Sequence, residues 1–196
     1  MLRTRFTAEL HCKYGQIVCD NATSDVFGFE IDDGWLCAKG TRTENTCIPL
    51  RFEFTFLEEK KNRLHYQIHA ADTWQYIGAT LEQNENGWLG MYATHAVGRI
   101  LHALNPANLL RSQPYWKIEL LQDWDGTAEK VEGVEFYLRD AKGHRVGQTM
   151  HQAIRTELAE DIDDFVVKGQ AFLPFLQANG REGEVLKFHL RKIKLS

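Results

Sequence analysis

The side chains able to do chemistry in this 196-residue chain are eight histidines, four cysteines, a run of carboxylates and a group of aromatics around one turn. His65 and His69 fall on the same outward face of an alternating segment, a geometry that would suit a metal if a third ligand joined them. No cysteine or aspartate is placed to do so, and a metal site is not expected. His95 and His102 lie seven residues apart, which on a helix is two turns and too far for one ion. His11 adjoins Cys12, but neighbours on a strand point to opposite faces and cannot form a dyad. The cysteines at 12, 19, 37 and 47 lack the close pairs of zinc ribbons. They read as reduced, buried thiols. Asp123-Trp124-Asp125-Gly126 opens like a calcium loop, yet Val134 stands where the twelfth-position glutamate belongs. Glu157, Glu160, Asp161, Asp163 and Asp164 offer carboxylates for acid–base hydrolysis without singling out a pair. The catalytic patterns GxSxG, HExxH, GxGxxG and the P-loop are absent from the sequence.

The aromatics are more informative. Trp74, Tyr76, Trp88 and Tyr92 flank a polar tip that contains Asn84 and Asn86. Flat aromatic faces stack on the CH-rich faces of sugars, and amide side chains satisfy hydroxyls. The same mixture anchors protein interfaces. These six residues are the candidate ligand-binding site, for a glycan or other small ligand or for a protein partner.

The elements that must position them follow mostly a period of two. Phe6, Ala8, Leu10, Cys12 and Tyr14 alternate with polar residues, then Gly15-Gln16 offers a turn and Ile17 and Cys19 return. That register sets Cys12 beside Cys19, close enough for a disulfide under oxidising conditions. Further strands are expected over 26–31, 35–39, 51–56, 63–69, 74–82, 88–92, 115–122, 134–138, 145–151 and 186–190. Residues 58–62 form a charged turn, and 83–87 a hairpin tip with Gly87 at its left-handed position. Helical spacing appears at 94–104, where Thr94 is a fair N-cap and Asn105-Pro106 a stop. Residues 152–179 also fit a helix through Ile154, Leu158, Ile162, Phe165 and Val166, although their structure stays open at this point.

Residues 53–69 and 135–151 align without gaps at an offset of 82, sharing the Glu-Phe pair at their start, an Arg and a terminal His. Each follows a tryptophan about twenty residues upstream, Trp35 or Trp116. The expected fold is therefore mainly β. It is one domain over 1–196, an antiparallel sandwich or partly closed barrel of two similar β-meanders (34–70 and 115–151) with one or two packed α-helices.

Length and composition agree with one globular domain. A net charge of −4, from 23 basic and 27 acidic residues, speaks against a chain whose main work is gripping nucleic acid. No apolar stretch is long enough for a membrane span, and no secretory signal opens the chain, so the expected compartment is the cytoplasm. No cofactor is called for, and a homo-oligomer is compatible with the pattern. The expected function is non-enzymatic ligand recognition on a β scaffold, lectin-like in its chemistry. The alternatives are a protein-interaction module (an inhibitor, an immunity-type protein or an assembly subunit) and a hydrolase with an unidentified acid–base pair.

Overall fold

The computed structural model describes residues 3–20, 34–42, 47–73, 76–92, 114–124, 131–158 and 165–195, with 153–158 and 165–171 as backbone alone. The architecture is mainly β and antiparallel. Six strands carry the core: β1 (Arg5–Cys12), β5 (Phe52–Lys60), β6 (Arg63–Ala70), β9 (Trp116–Leu120), β10 (Phe136–Arg139) and β14 (Phe188–Leu195). Their ladders form a closed ring. Phe6 pairs with Phe54, Phe54 with Ile68, Leu64 with Ile118, Ile118 with Leu138, Phe136 with Phe188, and Leu190 with Leu10.

The ring closes because alternation gives each strand one apolar side, and only closure hides all of those sides at once. Phe6, Leu10, Phe52, Phe54, Tyr66, Ile118, Leu138 and Phe188 all lie within one buried cluster. Phe6 stacks on Phe54 at 4.9 Å, and the Tyr66 ring meets both edge-on. The interior of this small barrel is packed with side chains.

Two barrel strands have a second neighbour along the same edge. Beyond its pairing with β9, β6 meets β7 (Thr80–Gln83) at His69↔Thr80. Beyond its pairing with β5, β1 meets β2 (Gly15–Asp20) at His11↔Gln16. Between them, β8 (Leu89–Tyr92) and β3 (Gly34–Ala38) complete a side sheet in the order β2-β3-β8-β7, and β4 (Cys47–Pro49) edges β2. The remaining pair is a long ribbon, β11 (Val146–Leu158) with β12 (Phe165–Ala178), to which β13 (Glu184–Val185) adds a short third strand.

Four expectations need correction. Residues 152–158 and 165–178 are not helical. They are most of the ribbon, and Val146↔Ala178 through Leu158↔Phe165 pair along its whole length. An i, i+4 spacing is even, so it suits one face of a strand as well as of a helix. Arg155 pairs with Gly169 and Thr156 with Val167, which leaves Lys168 as the extra residue and shifts the parity. Among the described residues no helix of seven or more residues occurs; the segment 94–104 lies outside them, as does the strand expected at 26–31.

The first turn also differs. Lys13 and Tyr14 form the loop, Cys12 pairs with Gly15, and Gly15 takes φ +99°. A non-glycine residue would be strained there. Cys12 therefore does not oppose Cys19, and all four cysteines are free thiols. The second turn is tighter than expected: β5 and β6 run to Lys60 and Arg63, and Lys61 and Asn62 sit at φ 51° and 57°. This is the two-residue turn whose twist matches the strands. A bulge at Leu57 then sets Glu58 opposite His65 and Glu53 opposite His69.

The repeat does not produce two matching meanders either. The Trp116 strand β9 pairs with β10 as expected, but the Trp35 strand β3 lies between β2 and β8, away from β5. The partner hairpin of 135–151 touches only at Arg139↔Arg145 before β11 leaves to pair with β12.

Candidate functional site

The outer face of the side sheet gathers the aromatics that the barrel does not use. Alternation along β8 sends Trp88, Gly90 and Tyr92 to one face, and Trp35 on β3 pairs with Gly90. Trp35 and Trp88 stack at 5.6 Å with their planes 10° apart. Gly90 leaves the room this requires, since a Cβ there would stand 3.1 Å from the Tyr92 ring. The ribbon then descends onto this strip. His151 approaches Trp35 at 5.2 Å and Trp88 at 4.9 Å, and Phe175 meets Trp35 edge-on.

Beside Phe175 a buried ion pair joins Asp20 and Arg42, both almost solvent-free. The Arg42 guanidinium lies 4.4 Å from the Phe175 ring centre. A desolvated guanidinium over an aromatic face is favourable, and the pairing offsets the cost of burying both charges. Arg42 Nη2 and Trp35 Nε1 are nevertheless buried without a hydrogen-bond partner among the described residues. Val18 and Cys37 fill the floor of the cluster.

The six expected residues divide. Trp74 lies outside the described residues. Tyr76 is a core residue with 2% exposure; its ring covers Gly34, where any Cβ would come within 2.6 Å of it. Asn84 Oδ1 accepts the backbone N–H groups of Asn86 and Trp88, each at 3.0 Å, so this amide is spent on the turn. Asn86 is exposed, and its carbonyl accepts Gln177 Nε2 of the ribbon. Trp88 forms a bridge with Gln177 and keeps 8% exposure. Trp88 and Tyr92 share the strip, half-buried Tyr92 about 13 Å further along the strand. Asn84, Asn86 and Trp88 thus come together with Gln177 where the hairpin tip touches the ribbon, and Tyr76 does not join them.

Sequence reasoning missed Trp35, His151, Phe175 and the Asp20–Arg42 pair. Their signal was weak because each comes from a different element, and 151–175 had a helical alternative. It also missed the far side of the ribbon root. There Val146, Leu176 and Ala178 enter the core, but four residues outward from Val146 and Leu176 on the same face Met150 and Phe172 stand 56% and 66% exposed.

The titratable groups show which chemistry is disfavoured. Burial raises the Cys12 and Cys19 thiols, and hydrogen bonding to Cys47 together with burial raises Cys37, so the nucleophilic thiolate is suppressed at all three. Cys19 Sγ donates to the Gly34 carbonyl at 3.0 Å, a structural role. Asp140 is buried, which by itself would raise its pKa. The His144 ring at 2.8 Å, the His144 backbone N–H and Gln83 nevertheless hold it below the ordinary carboxylate value. It caps the turn before β11 and faces no cleft residue of opposite function. Among the described residues no three His, Cys, Asp or Glu side chains gather as metal ligands, and no helix is long and apolar enough to cross a membrane.

Comparison with known protein families, with curated proteins and with solved structures finds no match to this chain.

Proposed function

We propose that this chain is a non-enzymatic recognition protein that works as a protein-interaction module, with the β11–β12 ribbon as its docking element. The observation that carries this is the exposure of Met150 and Phe172 on the ribbon face next to Pro174. A large aromatic and a methionine are costly to leave in water, and both are enriched at protein interfaces. The aromatic strip supports the reading from the other side. Its rings are spent on anchoring the ribbon root rather than on an open ligand site. The carbohydrate reading draws less support, because Tyr76 is in the core, Asn84 is bonded to its own turn and Trp88 is covered.

The test is site-specific photo-crosslinking in the protein's own source, with a benzophenone side chain placed at Phe172 and, as control, at exposed Lys187. One discrete adduct from position 172 and none from 187 is the expected result. An identical smear from both positions, or no adduct from 172, overturns the proposal. Phe172→Ser should abolish the adduct of a benzophenone placed at Met150 while changing stability by less than about 0.5 kcal/mol, as for other exposed sites.

A further inference from the structure

On the outside of the barrel the ladders align basic side chains directly opposite one another. His65 pairs with Lys117, Lys117 with Arg139, and Arg139 with Arg145. Residues directly opposite share a face, so these side chains stand in one row across four chain segments. Lys60 and Arg63 pair at the neighbouring hairpin end. Like charges directly opposite destabilise a sheet. Three cations approach one carboxylate here: Glu119 lies 2.5 Å from Arg139, 3.6 Å from Arg63 and 3.7 Å from Arg145, while Lys117 Nζ donates to the Ala141 carbonyl and Arg139 Nη1 to that of Gly143. The other nearby acids are engaged elsewhere: Glu58 with His65, Glu59 with Arg3, and Asp140 with His144. The excess is felt at Lys117, whose pKa is lowered by burial and then by Arg63, Arg139 and Lys60. Arg139 above all, with Arg63 and Arg145, holds Glu119 below the ordinary carboxylate value, yet the cations outnumber that one carboxylate, and such a local excess is expected where a surface has work to do.

We infer that the row Lys117–Arg139–Arg145, with Lys60 and Arg63 beside it, docks a short acidic segment of a partner protein in extended conformation. Three positions across neighbouring segments span two strand spacings, about 10 Å, and side chains on one face of an extended peptide recur every ~7 Å, so two or three acidic residues face the row. Arginine offers planar forks that match carboxylates, and Arg145 is held ready by stacking 4.0 Å over the Tyr137 ring. A short occupant is favoured over a nucleic acid. Glu58 bounds the row at one end and the chain as a whole is at −4, so a long polyanion would run from the row into repulsive surroundings. This inference uses a different surface from the ribbon and stands or falls separately from it.

The experiment is fluorescence anisotropy with the full chain and a labelled peptide bearing glutamate at alternate positions. The glutamine version of the peptide and an oligothymidylate of equal charge serve as comparisons. Saturable binding of the glutamate peptide that falls at least tenfold between 50 mM and 500 mM salt is expected, with the other two probes much weaker. Lys117→Gln and Arg145→Gln, made separately, should each weaken binding about tenfold, and Lys117→Gln should leave the melting temperature unchanged or higher because it removes an opposed like charge. Failure of the wild-type chain to bind the glutamate peptide overturns the inference, as does oligothymidylate binding equally well. Unchanged affinity in both variants overturns it too. A lowered melting temperature in Lys117→Gln with binding intact in Arg145→Gln would show that the row is structural.

Discussion

The barrel and the ribbon are built from the same kind of strand and held in opposite ways. In the barrel each strand has two bonded neighbours, and its apolar side faces five other strands. In the ribbon two strands share one long ladder, to which β13 adds two pairs at the root, and the packed side chains among those described lie at that root, against the core on one face and the aromatic strip on the other. The barrel interior leaves no buried donor of its rings unmatched at Trp116, whose Nε1 donates to the Leu81 carbonyl at 2.8 Å. At the ribbon root, by contrast, Trp35 Nε1 and Arg42 Nη2 are buried without partners among the described residues. Each such donor costs about 1–3 kcal/mol. Stability therefore concentrates in the barrel, and the root is where the molecule opens first.

The largest test of that difference is Phe54→Ala. Removing a ring stacked inside the barrel should cost about 3–5 kcal/mol and move the whole urea transition. Phe175→Ala removes an equally buried ring at the root. Its effect on the global midpoint should be smaller, because the barrel persists when the ribbon lifts. Hydrogen exchange would show ribbon amides losing protection while those of β1 and β5 keep theirs; equal loss in both would mean one cooperative unit. Gly87→Ala should cost about 1–3 kcal/mol. Gly87 has φ +85°, and a Cβ would stand 2.1 Å from the Ala178 carbonyl oxygen, so the hairpin tip would have to leave the ribbon. Its expected signature is loss of the Ala178 N–H to Gly87 carbonyl bond, read from the exchange of that one amide.

The smallest effect is on the barrel's own outer side and depends on pH. Burial first, then Arg191 and His11, lower the pKa of His189 from its ordinary 6.5, and burial lowers His69 likewise. A histidine depressed in the folded state is protonated more readily when unfolded. Stability should therefore be complete above about pH 7 and decline as pH falls below 6.5. His189→Gln should flatten that decline in thermal melts between pH 7.5 and 5; an unchanged slope would assign it to other groups. Asp140 acts at lower pH. Its depressed pKa gives stability that is present above the ordinary carboxylate value of 3.8 and is lost as pH falls further, and Asp140→Asn should remove that acid limb.

Much of the barrel was legible in the chain. The inward Phe52, Phe54, Leu64, Tyr66 and Ile68, the return at 63–69 and the left-handed Gly87 follow from alternation and local turn chemistry, while the bulge at Leu57 that sets the pairing of the two strands does not. What was not legible is non-local. Nothing near Leu64 indicates that Ile118 will lie beside it, and closure rests on that pairing. The ribbon was obscured because i, i+4 steps such as Ile154 to Leu158 fit one face of a strand as well as of a helix, and the partner strand that decides between them is not read from local pattern. For the candidate site, Trp88 and Tyr92 were found because they stand on one hairpin. Trp35, His151 and Phe175 join them only through tertiary packing, and the cation row is visible only once three ladders are in register.

The pairing of β14 with β1 sets a condition on how the molecule is made. Residues 188–195 form the strand that gives residues 5–12 their second edge. At about 5–20 residues per second of synthesis, the first strand waits roughly ten to forty seconds for that neighbour. During this interval one side of an apolar strand offers unpaired N–H and C=O groups to any passing chain. A nascent barrel of this kind needs either a shielding holdase or slow crowding-free emergence, and its yield on expression should depend more on the rate of translation than on the final stability of the fold.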